Sequence, residues 1–329
     1  VRAWRFHEFG DIGKYRLEDV PAPRPGAGEV LLRVRYAALN PADRLLIEGR
    51  YPGAGQPPLT VGRDGAGIVE GASAGSRFKI GDAALVLRSE IGITRQGTLA
   101  DLTVVPEDCV APLPAGWSLQ EAAAAPLVYL TAWKALVTQG GLRSGETVLI
   151  TGASGGVGIA AIQLAKALGA RVVALSRNPD TRLRLAALGA DAVLDDSAED
   201  LSGQVGRESG GTGPDIVIEH LGGKRLAEHL AMVNMNGRIM VIGLLAGRSV
   251  ELDLGMLLFK QVRIEGVHVG KFAPAEAQAA WKSVVAALDT TQARPVIDKI
   301  FSMDQVQEAF ARLSGGHLGK VLVEVNAAK

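Results

Sequence analysis

The chain has 329 residues, of which 47% are hydrophobic and 5% aromatic, and its 35 basic and 35 acidic side chains cancel to a formal charge of zero. A chain of this length buries a substantial core and is more readily two domains than one, while the balanced charge, with no long block of one sign, argues against a nucleic-acid partner. Its one cysteine, Cys109, excludes an intrachain disulfide and a cysteine-rich zinc site. The opening residues, VRAWRFHEFGDIGKYR, are interrupted by charge, and no stretch reaches the roughly 18 apolar residues of a simple membrane span. A soluble, cytoplasmic protein without a membrane partner is the expectation.

Along the chain, EVLLRVRYAALN, PPLTVGRDGAGIVE, GDAALVLRSE and TLADLTVVP supply short apolar runs divided by turn residues, which predict a compact β-rich unit. The character changes at WSLQEAAAAPLVYLTAWKALVTQG, an alanine- and leucine-rich helical stretch that Pro126 interrupts or starts. ETVLI, RVVALS, DAVL, DIVIEH, RIMVIG and VRIEGV then recur as buried strands with helical patterns between several of them, predicting a parallel α/β domain. The tail, SMDQVQEAFARLSGGHLGKVLVEV, reads as a capped helix, a glycine-containing turn and a last strand. A lone terminal strand needs sheet partners for its backbone groups, so it is expected to return to the first, β-rich unit.

The segment TGASGGVG, residues 151–158, joins the strand ETVLI to the helix IAAIQLAKALGA. Two roles are open to its glycines: an ordinary tight bend, or close backbone approach to a phosphate at a helix N-terminus. The strand, turn and helix setting favours the second and makes Gly152, Ser154, Gly155, Gly156, Val157 and Gly158 candidates for dinucleotide contact. An NAD site carries a carboxylate near the end of the next strand to bond the adenosine ribose. Here that strand ends Leu175-Ser176-Arg177, so Ser176 and Arg177 are candidates for a 2′-phosphate, and NADPH is expected over NADH.

At this point VPAPRPGAGEVLLRV, AALNPAD, VGRDGAGIVE, EAAAAPLVYLTAWKAL, TGASGGVG and HLGKVLVEV together resemble the medium-chain dehydrogenase/reductase superfamily, in its zinc-independent quinone oxidoreductase and zeta-crystallin-like branch. The resemblance implies a GroES-like catalytic domain from residues 1–122 and 293–329 and a Rossmann domain from 123–292, with a cleft between them for nicotinamide and acceptor. It implies a homodimer, with DLGMLLFKQVRIEGVHV as candidate edge. Zinc-dependent relatives carry Cys where this chain has Asn40, and His-Glu where it has Arg63-Asp64, so no zinc is expected. Asn40 and Tyr51 are the catalytic candidates, although Asn40 equally suits a buried turn and Asp43 a helix cap. Thr131 is expected beside the nicotinamide and Lys134 near the adenosine phosphate side, while Gly319 and Lys320 complete the cofactor site. Leu99 stands where many relatives have an aromatic residue, which weakens the case for quinone stacking.

The function expected is NADPH-dependent hydride transfer to quinones or α,β-unsaturated carbonyl compounds. An enoyl thioester reductase, or a noncatalytic NADPH-binding or structural protein, are the alternatives. Cys109 is expected to pack as a small apolar residue. His220 and His268 are expected at the cofactor cleft or a core edge.

Overall fold

The computed structural model describes residues 1–88 and 90–326; Ser89, at the end of the GDAALVLRSE stretch, and residues 327–329 lie outside the described residues. The chain begins with β1 (Arg2–Arg5) and β2 (Arg16–Asp19), an antiparallel pair. β3 (Glu29–Ala38), α1 (Pro41–Ile47), β4 (Asp64–Ala72), β5 (Ala83–Val86), β6 (Leu102–Pro106), β7 (Val110–Pro112) and α2 (Leu119–Ala124) follow. Along β3, Val30, Leu32 and Val34 are buried and alternate with half-buried neighbours, the period of a strand with one face on a core. Pro126 starts α3 (Pro126–Trp133), where its missing N–H costs nothing, and a π-helical stretch, Lys134–Gln139, continues it.

The next strands are β8 (Thr147–Ile150), β9 (Arg171–Leu175), β10 (Ala192–Leu194), β11 (Ile216–Glu219), β12 (Arg238–Val241) and β13 (Arg263–Gly266). Between them lie α4 (Gly156–Ala167), α5 (Pro179–Ala187), α6 (Leu201–Glu208), α7 (Gly223–Met232) and α8 (Leu254–Lys260). All six strands run parallel, in the order β10-β9-β8-β11-β12-β13. Every residue of β8 and β11 is buried, as central strands covered on both faces require, whereas the edge strand β13 is not. Counted from β8, the order is 3-2-1-4-5-6, the Rossmann arrangement, and it reverses between β8 and β11.

After α9 (Pro274–Thr291) come β14 (Ile297–Ser302), α10 (Val306–Ser314) and β15 (Lys320–Glu324). The tail returns to the first unit as backbone pairing demands: β15 lies between β14 and β3 in a seven-stranded sheet of order β14-β15-β3-β4-β5-β7, with β6 also paired to β3. Beneath it Trp4, Phe6, Tyr15 and Phe310 form an aromatic core. Residues 1–127, 270–282 and 294–329 form one compact unit, and 128–269 with 283–293 form the other.

Candidate functional site

In the Rossmann unit, β8 delivers the chain into the glycine turn. Gly152 has φ +54°, and a Cβ there would lie 3.1 Å from the Cβ of His220. At Gly158 a Cβ would meet the Ala153 Cα at 2.6 Å, so the bend and the close helix approach demand glycine at both positions. Gly155 differs, because its φ of −71° suits any residue and its missing Cβ would touch only the Gly152 carbonyl oxygen at 3.5 Å. No side chain caps α4. Space at Gly155 and the uncapped first-turn amides, flanked by half-buried Ser154, Gly156 and Val157, fit an anionic ligand rather than a need of the fold.

At the end of β9, Arg182 fixes the turn by donating to the carbonyls of Ser176 and Arg177, each at 3.1 Å, and pairs with Asp195 at 3.0 Å. Asp195 also accepts from the Ser197 amide and hydroxyl, so its carboxylate is committed and held below its ordinary range. Arg177 is exposed and has no ion pair or side-chain hydrogen bond among the described residues. Sequence reasoning missed Arg182, whose role depends on the fold of this turn.

The first unit holds a buried polar cluster. Asn40 follows β3 and precedes α1, and its Nδ2 donates to Asp64 Oδ2 at 2.9 Å. Lys320, the first residue of β15, donates to Asn40 Oδ1 at 2.6 Å and to Asp64 Oδ2 at 3.1 Å. Asp64 Oδ1 accepts the Leu127 amide at 2.9 Å. Asp43 accepts the Asn40 amide at 2.8 Å, the helix cap expected of it, and burial pushes its carboxyl up to about 6 against the opposing pull of Arg63. The Arg63 guanidinium lies over the Tyr51 ring, 5.2 Å from its centroid.

Other expectations fare differently. Thr131 is buried in α3. Lys134 does not reach the adenosine side: its Nζ donates to the His268 carbonyl at 3.2 Å, beyond β13. That strand is four positions from β9, about 19 Å at ordinary strand spacing. Gly319 has φ +88° and a Cβ there would collide with the Val296 carbonyl oxygen at 2.2 Å, so close strand approach alone requires glycine. Leu99 packs in the aromatic core and presents nothing to a substrate. Cys109 is buried, with its thiol pushed up to about 12 by burial, and packs as expected. His268 is exposed, whereas His220 lies at the end of β11 where the strand order reverses.

Residues 26–115 match the alcohol dehydrogenase GroES-like domain and residues 156–289 the zinc-binding dehydrogenase family. The chain is 30% identical to the quinone oxidoreductase of Lama guanicoe over 327 residues, which cover 98% of this chain and 97% of that one. The chain belongs to the quinone oxidoreductase family of the medium-chain dehydrogenase/reductase superfamily. Among solved structures, this quinone oxidoreductase family member is similar to an NAD-dependent alcohol dehydrogenase, with a TM-score of 0.90 and 29% identity over 99% of this chain and 100% of the other. The structure of a mycobacterial protein complexed with NADPH gives a TM-score of 0.88 at 25% identity, over 98% of this chain and 100% of the other.

The family member is an NAD(P)H-dependent oxidoreductase of the zinc-independent type. Its own residues agree. The place where zinc relatives keep ligands holds an amide, one carboxylate already paired to an ammonium, and a guanidinium, and two cations there oppose a third. Among the described residues no group of three His, Cys, Asp or Glu side chains could hold a metal.

Proposed function

We propose that the protein reduces quinones or α,β-unsaturated carbonyl compounds by hydride transfer from NADPH, in the cytoplasm and as a homodimer. The observation that carries the coenzyme assignment is the end of β9, where Ser176 and an unpaired Arg177 stand and the one carboxylate in the turn's network, Asp195, is spent on Arg182. A free guanidinium suits a 2′-phosphate and a carboxylate would repel it. When bound, the dinucleotide supplies a hydride to an electron-poor acceptor, which then takes up a proton. Gly152, Ser154, Gly155, Gly156, Val157 and Gly158 receive the pyrophosphate in this reading.

Lys320 and Asn40 form the fixed polar group of the catalytic part, for which we take residues 1–122 with 293–329, the dinucleotide-binding part being 123–292. A buried cation acts on developing negative charge more strongly than one in water. Asp64 keeps Lys320 in place, and Asn40 orients the ammonium through its amide oxygen. Tyr51 offers a flat ring to a quinone. Thr131 beside the nicotinamide and Gly319 with Lys320 toward the dinucleotide rest on the family motifs. No helix among the described residues is long and apolar enough to cross a membrane.

The test uses a soluble ortho-quinone with NADPH or NADH as donor, comparing the protein with its Arg177→Ala variant. NADPH should be preferred, and the variant should lose roughly tenfold or more in kcat/KM for NADPH with little change for NADH, the loss expected for a charge-assisted contact. Equal use of both donors, unmoved by the substitution, would refute the coenzyme assignment, and no turnover with either would refute the reaction.

A further inference from the structure

His220 carries an observation that the proposed reaction leaves unused. It follows β11, on the side of the strand-order reversal where the second mononucleotide half begins, and its backbone is locked on both sides. The His220 amide donates to Thr151 Oγ1 at 2.9 Å, and its carbonyl accepts the Leu245 amide at 3.2 Å. The neighbouring Glu219 carboxylate is fully buried, accepts the amides of Leu221 and Gly222, and pairs with the equally buried His229 through Nδ1. Burial works to raise the Glu219 carboxyl, yet His229 and these amides hold it below its ordinary range. The segment 219–222 is therefore a rigid mount, independent of any ligand.

The imidazole on that mount is 9% exposed, and neither of its ring nitrogens makes a well-formed hydrogen bond among the described residues, the Thr151 and Ile218 carbonyls lying near the ring without the geometry of one. His220 is the one described residue that leaves two buried polar side-chain atoms unmet. The ring packs against the glycine turn: a Cβ on Gly152 would come within 3.1 Å of the His220 Cβ and 3.8 Å of its Nδ1. Burial disfavours the charged ring, with the Thr151 and Ile218 carbonyls and Glu219 pulling more weakly the other way, so a neutral imidazole with one donor and one acceptor is available. A buried polar group left without a partner is costly, and a ligand bond removes that cost.

In an open α/β sheet a dinucleotide crosses the carboxyl ends of the strands at this reversal, with its pyrophosphate at the first helix N-terminus. We propose that His220 is a cofactor-contact residue, donating a ring N–H to an oxygen of the segment that joins the pyrophosphate to the nicotinamide ribose. The assignment rests on the dinucleotide reading above and extends it to the second half of the sheet. His220 then ties the glycine turn, through Thr151 and Gly152, to the half that presents the nicotinamide.

The experiment measures NADPH dissociation constants by fluorescence titration for the unaltered protein, His220→Phe and His220→Asn, with side-chain ¹⁵N spectra of the histidines before and after NADP⁺. His220→Phe should weaken binding about tenfold while His220→Asn, which restores a donor, stays within about threefold, as one hydrogen bond to a charged or hydroxyl oxygen predicts. The His220 ring resonance, identified by its loss in the Asn variant, should shift on NADP⁺ addition. Unaltered protein that binds NADPH while His220→Phe binds within twofold of it, or a His220 resonance that NADP⁺ leaves unmoved, overturns the inference alone. Failure of the unaltered protein to bind NADPH overturns the dinucleotide reading with it. If His220→Phe does not fold, the spectra of the unaltered protein decide.

Discussion

Asp43 is fully buried at the first turn of α1, with one carboxylate oxygen on the Asn40 amide and the other unpartnered. Its folded-state value of about 6 lies above the ordinary 3.8, so the fold favours the neutral acid. Ionisation is then penalised in the folded state, and stability contributed at low pH is lost as pH rises from about 4 through about 6. The shift corresponds to ~3 kcal/mol. Asp43→Asn keeps an acceptor for the Asn40 amide and cannot ionise, so its stability relative to the unaltered protein should rise by roughly that amount between pH 4 and pH 7.5, measured by denaturant unfolding at each pH. A difference independent of pH would refute the assignment. Comparing the two proteins cancels the carboxyls held low, such as Glu146 and Asp298, which act in the opposite direction. Asp43 as a cap was legible in NPADRLLIEG. The Asn40–Lys320 bond was not, because 280 positions separate its partners and only sheet pairing joins them.

The elements were legible in proportion to their burial. The central Rossmann strands β8, β9, β11 and β12 announce themselves as apolar runs because both faces are covered, and Pro126 marks the start of α3. β14 does not, since IDKIFS mixes charge with apolar residues, and β7 is only three residues ending in proline. The π-helical continuation of α3 has no sequence signal that we recognise. One element bears directly on assembly: α8 leaves Leu254, Leu258 and Phe259 70%, 68% and 77% exposed, and it precedes the edge strand β13, which has one sheet neighbour. Exposed apolar side chains beside an unpaired edge suit a second copy of the chain. The protein should run in light scattering at twice its 34.3 kDa mass, and the double substitution Leu258→Asp with Phe259→Asp should make it monomeric. An unaltered protein that is monomeric, or a variant that remains dimeric, would contradict this edge.

Over the whole molecule, the Rossmann sheet supplies a cradle whose essential glycines divide by cause: Gly152 and Gly158 are required by the chain itself, and Gly155 by nothing in it. Where zinc relatives keep ligands the first unit holds buried Asn40 and Asp64 and half-buried Arg63, with buried Lys320 bonded to the first two; in the function proposed above, these side chains supply the charge that reduction needs. The measurement that tests this account most directly is turnover by chelator-stripped, metal-analysed protein, with NADPH deuterated at the transferring carbon and an acyclic enone as acceptor. The protein should turn over saturably without metal and carry one deuterium into a carbon of the product. Activity that disappears on stripping and returns with stoichiometric zinc, or product free of deuterium, would contradict it.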